Sequence, residues 1–322
     1  MSTLITKIPI IDFEPFIKGD ITQQQAVAHQ IYQACHEMGF MYLKNLGISA
    51  TLLNQIFTQT KQFFDLPLIL KNQLAWSGEI SNRGYVGIER ERLSPDKPGD
   101  LKEAFNVGKE VNPDGHNLED KSSLILNQWL TGQDDFHQIV LEFYQACTEA
   151  ANQICQAFAI ALHLPESFFL DRHTHKNHTL RLLHYPPLDQ TPKLGQIRAG
   201  EHSDYGSFTL LFQDEIGGLE VCTAQGEWIT APYIPGTIIV NTGDLMQRWT
   251  NHVFCSTPHR VLIPSDEQVQ RSRYSIAFFC HPNDDTEISC LESCKEPNHP
   301  PLYPPISAGD YLLSRLQVSY SQ

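Results

Sequence analysis

No stretch of this chain approaches the roughly 18 consecutive apolar residues of a membrane-crossing helix, and no basic, apolar leader precedes Ile8. Positive charge is scarce as well: 23 lysines and arginines face 37 aspartates and glutamates, a formal net charge of −14. Polyanions are poor partners for such a surface, so neither nucleic acid nor anionic membrane is expected as the main partner. The cysteines lack any framework spacing. Eight of them (35, 147, 155, 222, 255, 280, 290 and 294) are scattered, mostly among apolar neighbours, the pattern of free thiols in a reducing compartment. Cys290 and Cys294 form a C-x3-C pair with no second pair to complete a zinc site. Internal repeats, low-complexity tracts and linker-like breaks are missing too. The expectation is a soluble, cytoplasmic protein whose residues 1–322 form one unit.

What is present is concentrated in three phrases. GEHSDYGSFTLL (200–211) places His202 and Asp204 two residues apart at the entrance of a β-rich run, hence on one face of an extended chain. CSTPHRVLI supplies a third donor, His259, 55 residues after Asp204 (259 − 204 = 55). Two imidazoles and one carboxylate compose the facial triad that holds non-haem Fe(II), leaving three coordination positions for co-substrate and O2. RSRYSIAFF carries Arg273 and Ser275 on one strand face, 14 residues beyond His259 (273 − 259 = 14). A guanidinium fork beside a hydroxyl suits a carboxylate held by parallel hydrogen bonds. Histidines that merely satisfy core hydrogen bonds would leave three phrases in register unexplained.

Taken in order, the chain begins with a short strand, IPIIDF (8–13), and a helical pattern over 21–38 whose Ala28, Ile31, Tyr32, Cys35 and Met38 share a face. GFMYLKNLGI (39–48) reads as a second strand, followed by helices at about 50–64 and 67–74. The charges around Lys102 and Glu103 read as a solvated face. From Asp134 to about Leu164 runs a long helix with an apolar stripe, Ile139, Phe143, Ala146, Ala150, Ile154, Phe158 and Leu162. His173, His175 and His178 then read as a solvated loop. Seven short β-favouring runs follow LRLLHYPP (180–187): SFTLLF, GLEVC, GEWITAP, TIIVN, LMQRWT, HRVLI and RYSIAFFC. Such spacing argues for a sandwich or barrel. Asp244, after Gly243, reads as a turn former. GDYLLSRLQVSY (309–320) has a helical pattern suited to lidding the barrel mouth.

These phrases in this order resemble the Fe(II)- and 2-oxoglutarate-dependent dioxygenase superfamily, and within it the isopenicillin N synthase-like branch. IPIIDF, GFMYLKNLGI and the FFDLP phrase match its N-terminal region, with Leu46 where a histidine is usual. The resemblance implies an α+β fold: a double-stranded β-helix, or jelly roll, over 175–285, a helical N-terminal region over 6–118 and a C-terminal helix. It implies Fe(II) ligation by His202, Asp204 and His259 and capture of the 2-oxoglutarate carboxylate by Arg273 and Ser275. Tyr185 matches a tyrosine that assists the co-substrate, although Leu183 and His184 replace the asparagine and tyrosine of the usual phrase. The implied chemistry couples oxidative decarboxylation of 2-oxoglutarate to hydroxylation, desaturation or ring closure of a small organic substrate.

Two alternatives stay open at this stage: an isopenicillin N synthase or aminocyclopropane-carboxylate oxidase type that does not use 2-oxoglutarate, and a non-catalytic jelly-roll binding protein. Arg83, before the Gly84–Tyr85 turn in SNRGYVGIERERL, stands where relatives with anionic substrates carry a substrate-binding arginine. It points to a carboxylate-bearing substrate, or else pairs at the surface with an acid such as Glu89.

Overall fold

Two sheets, built from strands that alternate in which side they bury, carry the molecule. In chain order the strands of these two sheets are β1 (Ile10–Asp12), β2 (Phe40–Lys44), β3 (Gly84–Val86), β4 (Glu103–Val107), β5 (Thr179–Tyr185), β6 (Ala199–His202), β7 (Phe208–Gln213), β8 (Leu219–Cys222), β9 (Trp228–Thr230), β10 (Thr237–Thr242), β11 (His259–Val261) and β12 (Arg273–Cys280), and a separate two-stranded ribbon pairs Glu287–Ile288 with Ile306–Ser307. Eight form one sheet in the order β1-β2-β10-β7-β12-β5-β4-β3, and four form the other in the order β6-β11-β8-β9. Every ladder among them is antiparallel except β1 on β2. This is the α+β jelly-roll arrangement. The computed structural model describes residues 7–76, 82–91, 98–110, 126–188, 191–264, 267–295, 297–298 and 300–320.

The period of two along each strand divides the core in two. One face of the large sheet carries Phe105, Leu182, Leu210, Phe212, Ile276 and Phe278, which pack with the helices. The opposite face carries Ala104, Leu183, Tyr185 and Ala277 and meets Leu219, Val221 and Val261 of the small sheet. The functional phrases open into this inner layer.

Helices α1 (Glu14–Lys18), α2 (Ile21–Glu37), α3 (Ala50–Phe64), α4 (Leu68–Gln73) and α5 (Asp134–Ala161) precede most of the sheet in sequence. A capping box opens α2: Asp20 accepts from the Gln23 N–H, and the Gln23 side chain accepts from the Asp20 N–H. Ser49 caps α3 by accepting from the Leu52 N–H. The apolar stripe of α5 lies on the large sheet, with Phe143 against Phe212 (5.0 Å between ring centroids) and Phe158 against Phe208 (5.3 Å). No helix among the described residues is long and apolar enough to cross a membrane.

Four expectations are corrected. LMQRWT is not a strand; it lies in α6 (Asp244–Trp249), where Leu245, Met246 and Trp249 are buried. A short apolar run with one-, three- and four-residue spacings fits a helical turn as well as a strand, and Gly243 at the helix N-cap decides it. Asp244 is thus the first residue of a helix, and it accepts from Ser256 Oγ at 2.6 Å. His173 and His178 are buried: His173 bonds the Phe169 carbonyl through Nδ1 (2.7 Å) and Ser207 Oγ through Nε2 (3.0 Å). Glu103 is buried at the start of β4, and Lys102 is nearly so beside Asp100 and Glu91.

The C-terminal helix, α7 (Ala308–Tyr320), lies beside the His202–Asp204 phrase. Tyr311 donates to Asp244 (3.1 Å), and the Arg315 guanidinium stacks 4.8 Å from the centre of the Tyr205 ring. Residues 81, 92 and 93 of SNRGYVGIERERL, and 6, 77–80, 94–97 and 111–118 of the expected N-terminal region, lie outside the described residues.

Candidate active site

Antiparallel pairing of β6 with β11 makes His259 and His202 register partners, their ring centroids 4.3 Å apart. Asp204 follows two residues after His202. Its Oδ1 lies 4.0 Å from His202 Nε2 and 3.7 Å from His259 Nε2. Among the described residues these three form the single group of histidine, cysteine and acidic side chains able to hold a metal ion, their donor atoms all within 4.8 Å of one another.

The hydrogen bonds around the group fix which atoms remain for a metal. His202 Nδ1 lies 2.7 Å from the Gly200 carbonyl and His259 Nδ1 3.1 Å from the Thr257 carbonyl. A carbonyl only accepts, so each ring carries its proton on Nδ1 and offers the Nε2 lone pair. Burial is the main force pushing the His202 imidazole down to about 3, and the His259 ring adds to it, so the site favours the neutral, ligating form. Asp204 Oδ2 accepts from Thr209 Oγ1 and Asn241 Nδ2, both at 2.7 Å. Thr209 and Asn241 are themselves register partners on β7 and β10, so two strands aim at one oxygen and leave Oδ1 free. Burial alone would raise the Asp204 carboxyl, but the two imidazoles and these donors outweigh it and hold it below its usual value. Two neutral nitrogens and one anionic oxygen suit Fe(II) with open positions.

Arg273 and Ser275 stand side by side on β12. The Arg273 side chain is buried, donating to the Gly217 carbonyl (2.8 Å), Ser275 Oγ (3.1 Å) and Gln213 Oε1 (3.3 Å). Its cross-strand partner is Tyr185, whose ring centre lies 4.7 Å from the guanidinium carbon. The fork is therefore clamped in one orientation before any ligand arrives.

Arg83 lies elsewhere. It is half-buried, donates to the Asn82 carbonyl (3.0 Å) and approaches Thr179 Oγ1 (3.4 Å), while its Nε is buried with no hydrogen-bond partner among the described residues. Gly108 makes room for it: a Cβ there would collide with the guanidinium. Glu89 pairs with Lys193 (3.0 and 2.8 Å) and Gln196 (2.7 Å).

Several site residues went unnoticed in the sequence. Asn241 and Thr209 orient Asp204, and Gln213 braces Arg273. Their one signal is a polar residue inside an otherwise apolar strand. Lys71, Tyr85 and His184 all converge on the buried Glu103, with His184 Nδ1 at 2.7 Å and Lys71 Nζ at 2.8 Å.

The family model described as "2OG-Fe(II) oxygenase superfamily" matches residues 176–282, and that described as "non-haem dioxygenase in morphine synthesis N-terminal" matches 8–132. A 2-oxoglutarate-Fe(II) type oxidoreductase of Emericella nidulans is 33% identical over 98% of this chain and 91% of its own. A proline hydroxylase of Petromyces alliaceus is 33% identical over 96% of this chain and 98% of its own. A full-length Neurospora crassa protein crystallised in complex with alpha-KG and thymine superposes with a TM-score of 0.86, at 34% identity, covering 97% of this chain and 98% of that one. The chain belongs to the Fe(II)- and 2-oxoglutarate-dependent dioxygenase superfamily.

Proposed function

We propose that this 2-oxoglutarate-dependent oxygenase works on a small organic substrate, with His202, Asp204 and His259 holding Fe(II) and Arg273 and Ser275 holding the distal carboxylate of 2-oxoglutarate. The observation that carries the reading is the convergence of two free Nε2 lone pairs and one free Oδ1, with Asp204 and His259 buried and His202 half-buried. When bound, the metal supplies oxidative decarboxylation of 2-oxoglutarate to succinate and the oxidising equivalent for hydroxylation, desaturation or ring closure. Asp204 contributes the one anion among these three ligands, which keeps room for the chelating 2-oxo acid. Arg273 and Ser275 fix the far end of the co-substrate, and Tyr185 covers the flat face of the guanidinium.

Relatives that are named for 2-oxoglutarate, or crystallised with it, favour this reading over an oxidase that dispenses with it. The N-terminal match supports the isopenicillin N synthase-like branch. We read the chain as one catalytic unit, with a 6–118 region wrapped on a 175–285 core. The net charge of −14 favours small-molecule partners over nucleic acid, and eight free cysteines suit a reducing, cytoplasmic setting.

The carboxylate of the prime substrate is assigned to Arg83. Its buried, unpartnered Nε calls for an acceptor. Proline, the substrate in one relative's name, bears such a group. The test is a panel of small acids, amino acids and pyrimidines incubated with Fe(II), 2-oxoglutarate and O2. Succinate formed in proportion to substrate oxidised supports the reading; substrate oxidation without succinate supports the oxidase.

A further inference from the structure

Arg198 has no part in the roles above, yet it is fully buried immediately before β6. One of its nitrogens, Nη2, donates to the Arg271 carbonyl at 3.1 Å, two residues from Arg273. Its Nε and Nη1 are buried with no hydrogen-bond partner among the described residues. Burial and the Arg273 charge work against its protonated form, and Tyr185 and Asp214 favour it.

Both guanidinium groups are buried, and Asp214, whose charge favours protonated Arg198, already accepts from the backbone N–H groups of Tyr274 (2.5 Å) and Ile216 (3.0 Å). A buried cation without a partner is costly, and two placed together cost more. A further anion gives the idle nitrogens an acceptor and offsets the buried charge.

We propose that Arg198 is a second arginine for the distal carboxylate of 2-oxoglutarate, sharing it with Arg273, so that the pair selects a dicarboxylic 2-oxo acid over a monocarboxylic one. This rests on the assignment of Arg273 and Ser275 to that carboxylate. Arg273 presents the fork clamped by Gly217, Ser275 and Gln213, and Arg198 adds charge and donors from the side of β6. The metal would hold the chelating end of the co-substrate, to which neither arginine is assigned.

The test uses the full-length, Fe(II)-loaded protein without oxygen. Each 2-oxo acid is titrated while the charge-transfer absorption of the metal-bound acid is followed. 2-Oxobutyrate keeps the chelating end but lacks the distal carboxylate. Arg198→Gln is expected to weaken 2-oxoglutarate by about tenfold to a hundredfold, the weight of one charge-assisted hydrogen bond, and to leave 2-oxobutyrate unchanged. Arg198→Lys keeps the charge and serves if the glutamine variant does not fold; it is expected to lose part of the same selectivity. Unchanged 2-oxoglutarate affinity, or equal losses for both acids, overturns the inference. Arg273→Gln, measured in parallel, separates the two levels. If it too leaves 2-oxoglutarate unaffected, the underlying carboxylate assignment fails; if it alone weakens binding, only the role of Arg198 fails.

Discussion

His202 and His259 are register partners across β6 and β11, and each commits its Nδ1 to the carbonyl two residues earlier in its own chain, Gly200 and Thr257. The same local device thus sets the tautomer of both rings, and it needs only backbone. Asp204 is oriented differently, by side chains from two other strands. Loss of those side chains should be felt at the metal and not at the histidines.

Asn241→Ala removes one of the two donors to Asp204 Oδ2. Outer-shell partners of this kind are worth about ten- to a hundredfold in metal affinity. Fe(II) affinity, measured by competition with a chelator under anaerobic conditions, is expected to fall by that factor. An affinity equal to that of the unaltered protein would show that Thr209 alone orients the carboxylate.

Arg273→Lys keeps the charge but loses the planar fork that Gly217, Ser275 and Gln213 hold in place. One lost charge-assisted hydrogen bond costs roughly 1.5–3 kcal/mol, about ten- to a hundredfold in affinity. 2-Oxoglutarate binding should weaken by that amount with Fe(II) binding unchanged. Equal weakening of both would place Arg273 in the fold and not in the co-substrate pocket.

How much of this was legible beforehand follows from where the information lies. The HxD pair and the Arg273–Ser275 pair sit two residues apart in extended chain, so period-two geometry brings them out of the sequence directly, whereas His259, 55 residues after Asp204, is found by its TPHRV phrase and the family resemblance. Asn241, Thr209 and Gln213 act across strands that are far apart in sequence, and their roles appear only once register is known. The buried state of Glu103 was hidden because its partners come from α4, β3 and β5, and the adjacent charges of Lys102 and Glu103 look solvated without them. Short runs carry too little periodicity to choose between structures, which is why α6 read as a strand. His173 and His178 do lie in a loop, but they read as solvated because nothing nearby in sequence announces Ser207 or the other elements packed against them.

Glu103 makes a prediction about stability. Burial raises its carboxyl, but hydrogen bonds from His184, Lys71 and Tyr85 win, and the net is below the ordinary 4.5. A carboxyl depressed in the folded state contributes stability that is fully present above its unfolded value and is lost as pH falls through the folded value. The loss should therefore begin near pH 4.5 and grow below it. At neutral pH, Lys71→Met strands the buried charge and should cost about 3–5 kcal/mol in urea unfolding. A variant as stable as the unaltered protein would mean that His184 and Tyr85 suffice.

For Arg83, Arg83→Gln should raise the Michaelis constant for the prime substrate and leave that for 2-oxoglutarate nearly alone. If neither constant moves, Arg83 is a structural residue and the carboxylate-bearing substrate loses its support.

The central claim is that His202, Asp204 and His259 hold the iron, and the iron content of Asp204→Ala tests it most directly. Reconstituted anaerobically with Fe(II) and freed of excess metal, the unaltered protein should retain iron equimolar with chain. Asp204→Ala should retain almost none while unfolding at a temperature showing an intact fold, because two neutral imidazoles without the anionic ligand hold Fe(II) poorly. Equimolar iron in the folded variant would contradict the account.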